Sequence, residues 1–276
     1  MSKAFYVAAH VAVALLYLWL ARSVWTDLDR ERGATAHTPA RAVPLAIALH
    51  GSLLGWSLFG EEPFRFGFAL ALSATFWLTV TIVWAEGFFI SLRGLYPLVL
   101  PLAAVSALLP ALFPGSVVAV ASGKLALRMH LLVALLSYSL LTIAALHALL
   151  MAALDRQLHA TTRDGVGSRR FRHVPPLLAM EKLLFQLIGI GFLLLTATVL
   201  SGVVFSEYLF GRALRFEHKT VWSFAAWLVF GGLLAGRRFF GWRGRVALRW
   251  TLAGFVMLLL AYVGSSFVLE VILQRL

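Results

Sequence analysis

Long apolar runs, each closed off by a short charged or proline-bearing stretch, recur eight times along the chain. Roughly 20 helical residues at about 1.5 Å each cross a bilayer core about 30 Å thick, so each run reads as a membrane-spanning helix. The pattern predicts helices over residues 4–21, 43–60, 66–90, 96–113, 128–155, 183–206, 220–236 and 249–273. Between them lie RSVWTDLDRERGATAHTPAR, the short links EEPFR and SLRGL, and the longest polar region, 155–182, with its RRFRH cluster. The fourth run carries Pro97, Pro101 and Pro110, which predicts a kinked or partly re-entrant segment. The link PGSVVAVASGKLAL is mildly apolar and is expected along the membrane interface.

Composition sharpens this reading. The chain is 61% hydrophobic and 13% charged, against about 25% charged in an ordinary soluble domain. An all-α, polytopic membrane protein of about eight spans follows, as one integral domain over 1–276 with the bilayer as its solvent. The first run, MSKAFYVAAHVAVALLYLWLAR, is read as a span rather than a cleaved leader. A formal charge of +12 would suit nucleic acid, but the placement of the basic residues gives a simpler account. Of the 24 Lys and Arg, 16 fall on the loops after the odd-numbered helices and 8 on the opposite side with both termini. The positive-inside tendency then puts both termini outside, in the periplasm of a bacterial inner membrane, with RRFRH and RRFFGWRGR cytoplasmic. No nucleic-acid partner is expected. The absence of cysteine excludes thiolate metal sites, disulfides and covalent c-type haem attachment.

The candidate chemistry is in the histidines. His130 and His218 open the fifth and seventh helices, so both are expected at the outer membrane face. A neutral imidazole is a common ligand of haem iron, and two from different helices can clamp a flat macrocycle. Phe216, Trp222, Tyr208 and Phe210 are candidates for the ring wall, with Ala134 and Ser137 leaving room on the His130 face. The alternative is a pair of interfacial histidines bonded to water and headgroups. His50, mid-membrane beside Gly51 and Gly55, reads equally as an in-membrane ligand or as a contact between packed helices. His10, without an evident mate, is assigned a structural role, His147 packing or snorkelling, and His37, His159 and His173 solvated loops. Glu86 is expected to pair with Arg93. Walker loops, HExxH and nucleophile motifs are absent, so no enzyme activity is expected.

Three segments taken in order carry a resemblance. They are MHLLVALLSYSLLTIAALHALL, then PPLLAMEKLLFQLIGIGF, then HKTVWSFAAW continuing to GWRGRVALRW. Together they are similar to the cytochrome c assembly family (CcsA, CcmC and HemX relatives), and within it to the short inner-membrane branch of YpjD type. The resemblance implies a haem-handling role in cytochrome c assembly, with His130 at the position of the outer-face histidine and His50 at that of an in-membrane one. Family members carry a tryptophan-rich WGxWWxWD stretch before the seventh helix, where this chain reads LFGRALRFEHKT with Glu217 in place of the Asp. The family's second outer histidine falls near Gly264, Ser265 and Ser266, and a further inner one at Arg237–Arg238; this chain has neither.

The combined expectation is non-covalent haem b held between His130 and His218 as axial ligands, with His50 as an in-membrane waypoint and Trp222 and Phe216 as the ring wall. The lipid bilayer, haem and other cytochrome biogenesis membrane proteins are the expected partners. Two rival expectations are a haem-free scaffold that stabilises another membrane protein, and a small-solute transporter, which would need a helix broken at mid-membrane.

Overall fold

The computed structural model describes residues 2–29, 38–59, 65–87, 93–117, 125–164, 177–210 and 218–272. Among them, eight long helices account for nearly everything: α1 (Lys3–Asp29), α2 (Thr38–Phe59), α3 (Phe68–Glu86), α4 (Tyr96–Leu112), α5 (Leu125–Asp164), α6 (Leu177–Phe210), α7 (His218–Phe240) and α8 (Gly244–Leu259). Six apolar stretches have the length and composition to cross a membrane: Lys3–Thr26, Phe68–Glu86, Leu127–Arg156, Leu177–Val204, His218–Phe240 and Gly244–Ile272. The apolar parts of α2 and α4, Ala42–Leu58 and Tyr96–Leu112, are shorter. The all-α membrane class expected from the pattern is the one observed.

Several helices overrun their expected ends. The first reaches Asp29 instead of 21, the fifth Asp164 instead of 155, and the sixth starts at Leu177 instead of 183. Hydropathy reports where lipid stops, whereas a helix stops at a breaker. No Gly or Pro interrupts 22–29 or 155–164, while Gly165 follows Asp164 and Pro175-Pro176 precede Leu177. Much of the polar region 155–182 is therefore helix. The third helix is shorter than expected, starting after extended Gly67 and ending at Gly87. The fourth runs unbroken through Pro101 and Pro110, with Pro97 in its first turn, where a missing N–H costs little. Beyond Leu259, α8 continues through two π-helical stretches, Leu260–Gly264 and Val268–Ile272, separated by one α-turn.

The chain forms two compact units. The first comprises residues 1–125 and 263–276. Here α4 packs against α1 and α3, and α2 packs against α1 and α3. Its core includes Val13, Tyr17, Leu20, Val80, Val99, Leu100 and Ala103, all nearly inaccessible. Gly51 lets α2 lie close on α3: a Cβ there would come within 2.9 Å of the Trp77 ring, which is fixed by an Nε1–H bond to the Ile47 carbonyl. A two-residue antiparallel pairing absent from the sequence expectation joins Arg65–Phe66 to Ser116–Val117. It stands where an interfacial linker was expected and depends on Gly115, at φ +75°, and on Gly67, whose Cβ would fall 2.8 Å from the Gly115 Cα. Glu270, from the C-terminal π-helical stretch, accepts the backbone N–H of Phe68 at the start of α3.

The second unit, residues 126–262, is an antiparallel four-helix circuit. Ser137 on α5 donates to the Gly191 carbonyl of α6. Between α6 and α7, Trp227 stacks on Phe192 and donates its Nε1–H to Thr196. Between α7 and α8, Phe230 lies over Gly254 and Trp250 over Gly232. The circuit closes where Tyr138 on α5 donates to the Leu258 carbonyl of α8. Polar contacts point inward, while Ile190, Leu193, Leu200, Val204, Leu228 and Val256 are exposed. That inversion suits a bundle whose solvent is hydrocarbon, where helices are joined by close packing and interhelical hydrogen bonds.

Candidate functional site

The antiparallel circuit determines which histidines share an end. His130 lies in the second turn of α5 beside Ser201, near the C-terminal end of α6. His218 is the first residue of α7. Its neighbour Lys219 places its ammonium 5.4 Å from the ring centre of Tyr262, in the first π-helical stretch after α8. The start of α5, the end of α6, the start of α7 and the end of α8 thus form one end of this unit, and both histidines are there.

His130 is half-buried and bonds Ser201 Oγ through Nδ1 at 2.7 Å. The Ser201 hydroxyl is spent on the backbone carbonyl of Ala197 at 2.7 Å, so it accepts from the histidine. With that donor assignment the ring proton is on Nδ1. Metal-binding histidines are oriented by a hydrogen bond from the second ring nitrogen in this way, and the fit to an iron ligand is good. Gly202 lies alongside, the Cβ of any replacement falling 3.7 Å from His130 Cε1. Ser201 has no local signature as a partner, being 71 residues from His130.

His218 is exposed and, among the described residues, has no hydrogen-bond partner. Trp222, one turn further along α7, is half-buried. Phe216 lies outside the described residues, as do the side chains of Tyr208 and Phe210. The expectation that Ala134 and Ser137 leave an open face beside His130 is corrected at Ser137. That residue is fully buried against Gly191 of α6, because a glycine carbonyl at a close helix crossing offers an acceptor to a serine that hydrocarbon cannot solvate.

In the first unit, His50 is fully buried with both ring nitrogens engaged, Nε2 with Ser73 Oγ at 2.9 Å and Nδ1 with the Tyr17 hydroxyl at 3.3 Å. One ring thereby joins α1, α2 and α3. His10 is also fully buried; its Nδ1–H donates to the Ala107 carbonyl of α4 at 2.6 Å, and Tyr6 packs edge-on against it. The mate that the sequence did not reveal for His10 is thus a backbone carbonyl. His147 donates Nε2–H to the Met180 carbonyl of α6 at 3.0 Å, consistent with the packing role expected. The Arg93 side chain lies outside the described residues, so the Glu86–Arg93 pair has no counterpart there; Glu86 Oε2 is buried without a hydrogen-bond partner among them. His37 and His173 lie outside the described residues, as does the His159 side chain. Among the described residues, no cluster of three or more His, Asp or Glu has the spacing of a metal-ion site.

Comparison with known proteins agrees with this architecture. The cytochrome C assembly protein family model matches residues 39–273. The inner membrane protein YpjD of Escherichia coli K12 is 33% identical over 82% of each chain. Two cytochrome c biogenesis proteins CcsA match over shorter stretches. That of Synechococcus sp. CC9605 is 27% identical over 51% of this chain and 52% of its own. That of Gloeobacter violaceus is 31% identical over 40% of this chain and 32% of its own. A match over most of the length, from α2 onward and through parts of both units, means that the chain belongs to the cytochrome c assembly protein family.

Proposed function

We propose that this protein binds haem b non-covalently at the His130 end of the α5–α8 bundle and holds or passes it on during cytochrome c biogenesis. The observation that carries the reading is the His130–Ser201 bond, which orients a half-buried imidazole through Nδ1 at this end of the bundle. His218, at the exposed start of α7, would supply a second imidazole nitrogen to bound haem, and Trp222 and Phe216 are the residues assigned to the ring wall. Haem contributes an iron that accepts two imidazole nitrogens and a flat apolar face that suits a membrane-level slot. Family membership and the cytochrome c biogenesis role in the names of the CcsA relatives support the pathway; the name of YpjD, an inner membrane protein, supports the inner membrane.

In this reading the His130 end faces the periplasm, as the distribution of basic residues favours. Other cytochrome biogenesis membrane proteins receive or supply the haem, and the role is non-catalytic. His50 contributes less directly, since its two nitrogens already serve Tyr17 and Ser73. A transporter draws no support, because α5 and α6 both run without a mid-membrane break.

The test is purification from haem-replete membranes. A Soret band should accompany the wild-type protein and disappear in His130→Ala while the variant elutes as a folded species. A wild-type protein without haem, or a His130→Ala protein with undiminished haem, would replace this reading with a haem-free scaffold.

A further inference from the structure

The opposite end of the second unit has its own chemistry. There the guanidinium of Arg237, in the last turn of α7, lies 3.5 Å from the ring centre of Phe185 on α6. Stacking satisfies the face of a guanidinium but not its edge, where the N–H donors point. Arg237 Nη1 is buried and has no hydrogen-bond partner among the described residues. Two acids of this unit face other cations. Glu181, one turn before Phe185, faces Arg243 at 3.6 Å, and Asp155 on α5 faces Arg245 at 3.1 Å. His147 offers only an unpartnered Nδ1, an acceptor that an anion would not seek.

The surroundings give the depth of this group. Phe239 and Phe240, directly after it, are 76% and 77% exposed. Two neighbouring phenylalanines at that exposure suit lipid, not water. Trp242 folds back over Gly236 and packs against Phe240 and Trp250, forming an aromatic layer of the kind found at a membrane–water boundary. Arg238 is exposed at the same level. A donor edge without an acceptor, inside an aromatic belt at the end of an apolar helix, lies at the depth of phospholipid phosphates.

We propose that Arg237 and Phe185 form a binding site for the phosphate of an anionic phospholipid. The phosphate oxygens accept from the guanidinium edge, a geometry in which arginine binds phosphate well, and the acyl chains lie along the exposed apolar side of α6 and α7. Phe185 holds the guanidinium by its face at the end of α7. The site is independent of haem and is at the end of the unit away from His130.

The experiment uses the full-length protein in detergent, with native mass spectrometry and thermal unfolding. Wild type should retain phosphatidylglycerol or cardiolipin and gain several degrees of midpoint when phosphatidylglycerol is added. Phosphatidylcholine or inorganic phosphate alone should not reproduce that gain. Arg237→Ala should lose the retained lipid and most of the shift, whereas Arg238→Ala should keep both. Should Arg237→Ala fail to fold, Arg237→Lys, which keeps the charge without the flat donor edge, should retain clearly less lipid than wild type. Equal retention and equal shifts in wild type and either Arg237 variant would overturn the proposal. So would a shift reproduced by inorganic phosphate alone, which would mean a site for the free anion.

Discussion

His50 and His130 are the same side chain put to opposite uses. In the first unit, His50 is sealed in and spends both nitrogens on neighbouring helices. In the second, His130 spends one nitrogen on Ser201 and sits half-buried at the end of a bundle. A buried polar group with every bond satisfied stabilises a helix interface and is unavailable for other work. A histidine held by a serine near a surface is placed differently from one sealed between three helices. The contrast teaches that an apolar sequence setting alone does not say what a histidine is bonded to.

The comparison breaks first at His50. Its replacement by Ala opens a cavity and strands Tyr17 and Ser73, so unfolding in detergent should show a loss of about 2–4 kcal/mol. A loss near zero would mean that the ring is not the tie between α1, α2 and α3. Gly51→Ala comes next, because its Cβ would press on a Trp77 ring anchored to Ile47. Overpacking of that kind costs about 1–3 kcal/mol, read from the same unfolding curves. In the second unit, Ser201→Ala should cost less than about 1 kcal/mol, in line with single interhelical hydrogen bonds in membranes. The same change should weaken haem retention by roughly 10–100-fold, the usual consequence of removing a ligand's orienting partner. An Ala variant at 201 that holds haem as tightly as wild type would show that the tautomer is set by something else.

How far the sequence carried this account follows from the same physics. Helix number and class were legible because hydrocarbon demands long apolar runs, and these are local. Helix ends were less so, since Arg22–Asp29 and Asp155–Asp164 leave the apolar stretch without meeting a breaker and simply continue as helix. The pairing of Arg65–Phe66 with Ser116–Val117 had no periodic signal, being two residues long. The histidines stood out as costly residues in apolar runs. Their partners did not: Ser73, Ser201 and the Ala107 carbonyl are ordinary helical positions distant in sequence. Both histidines were therefore picked out, but the hydrogen bonds that distinguish His130 from His50 were not.

The most direct measurement is the optical and electron paramagnetic resonance spectrum of the haem-loaded protein and of two variants. The account predicts six-coordinate, low-spin iron in wild type, five-coordinate high-spin iron in His218→Ala, and no bound haem in His130→Ala. An unchanged low-spin spectrum in both variants, with normal haem content, would contradict it and move the ligands elsewhere in the chain.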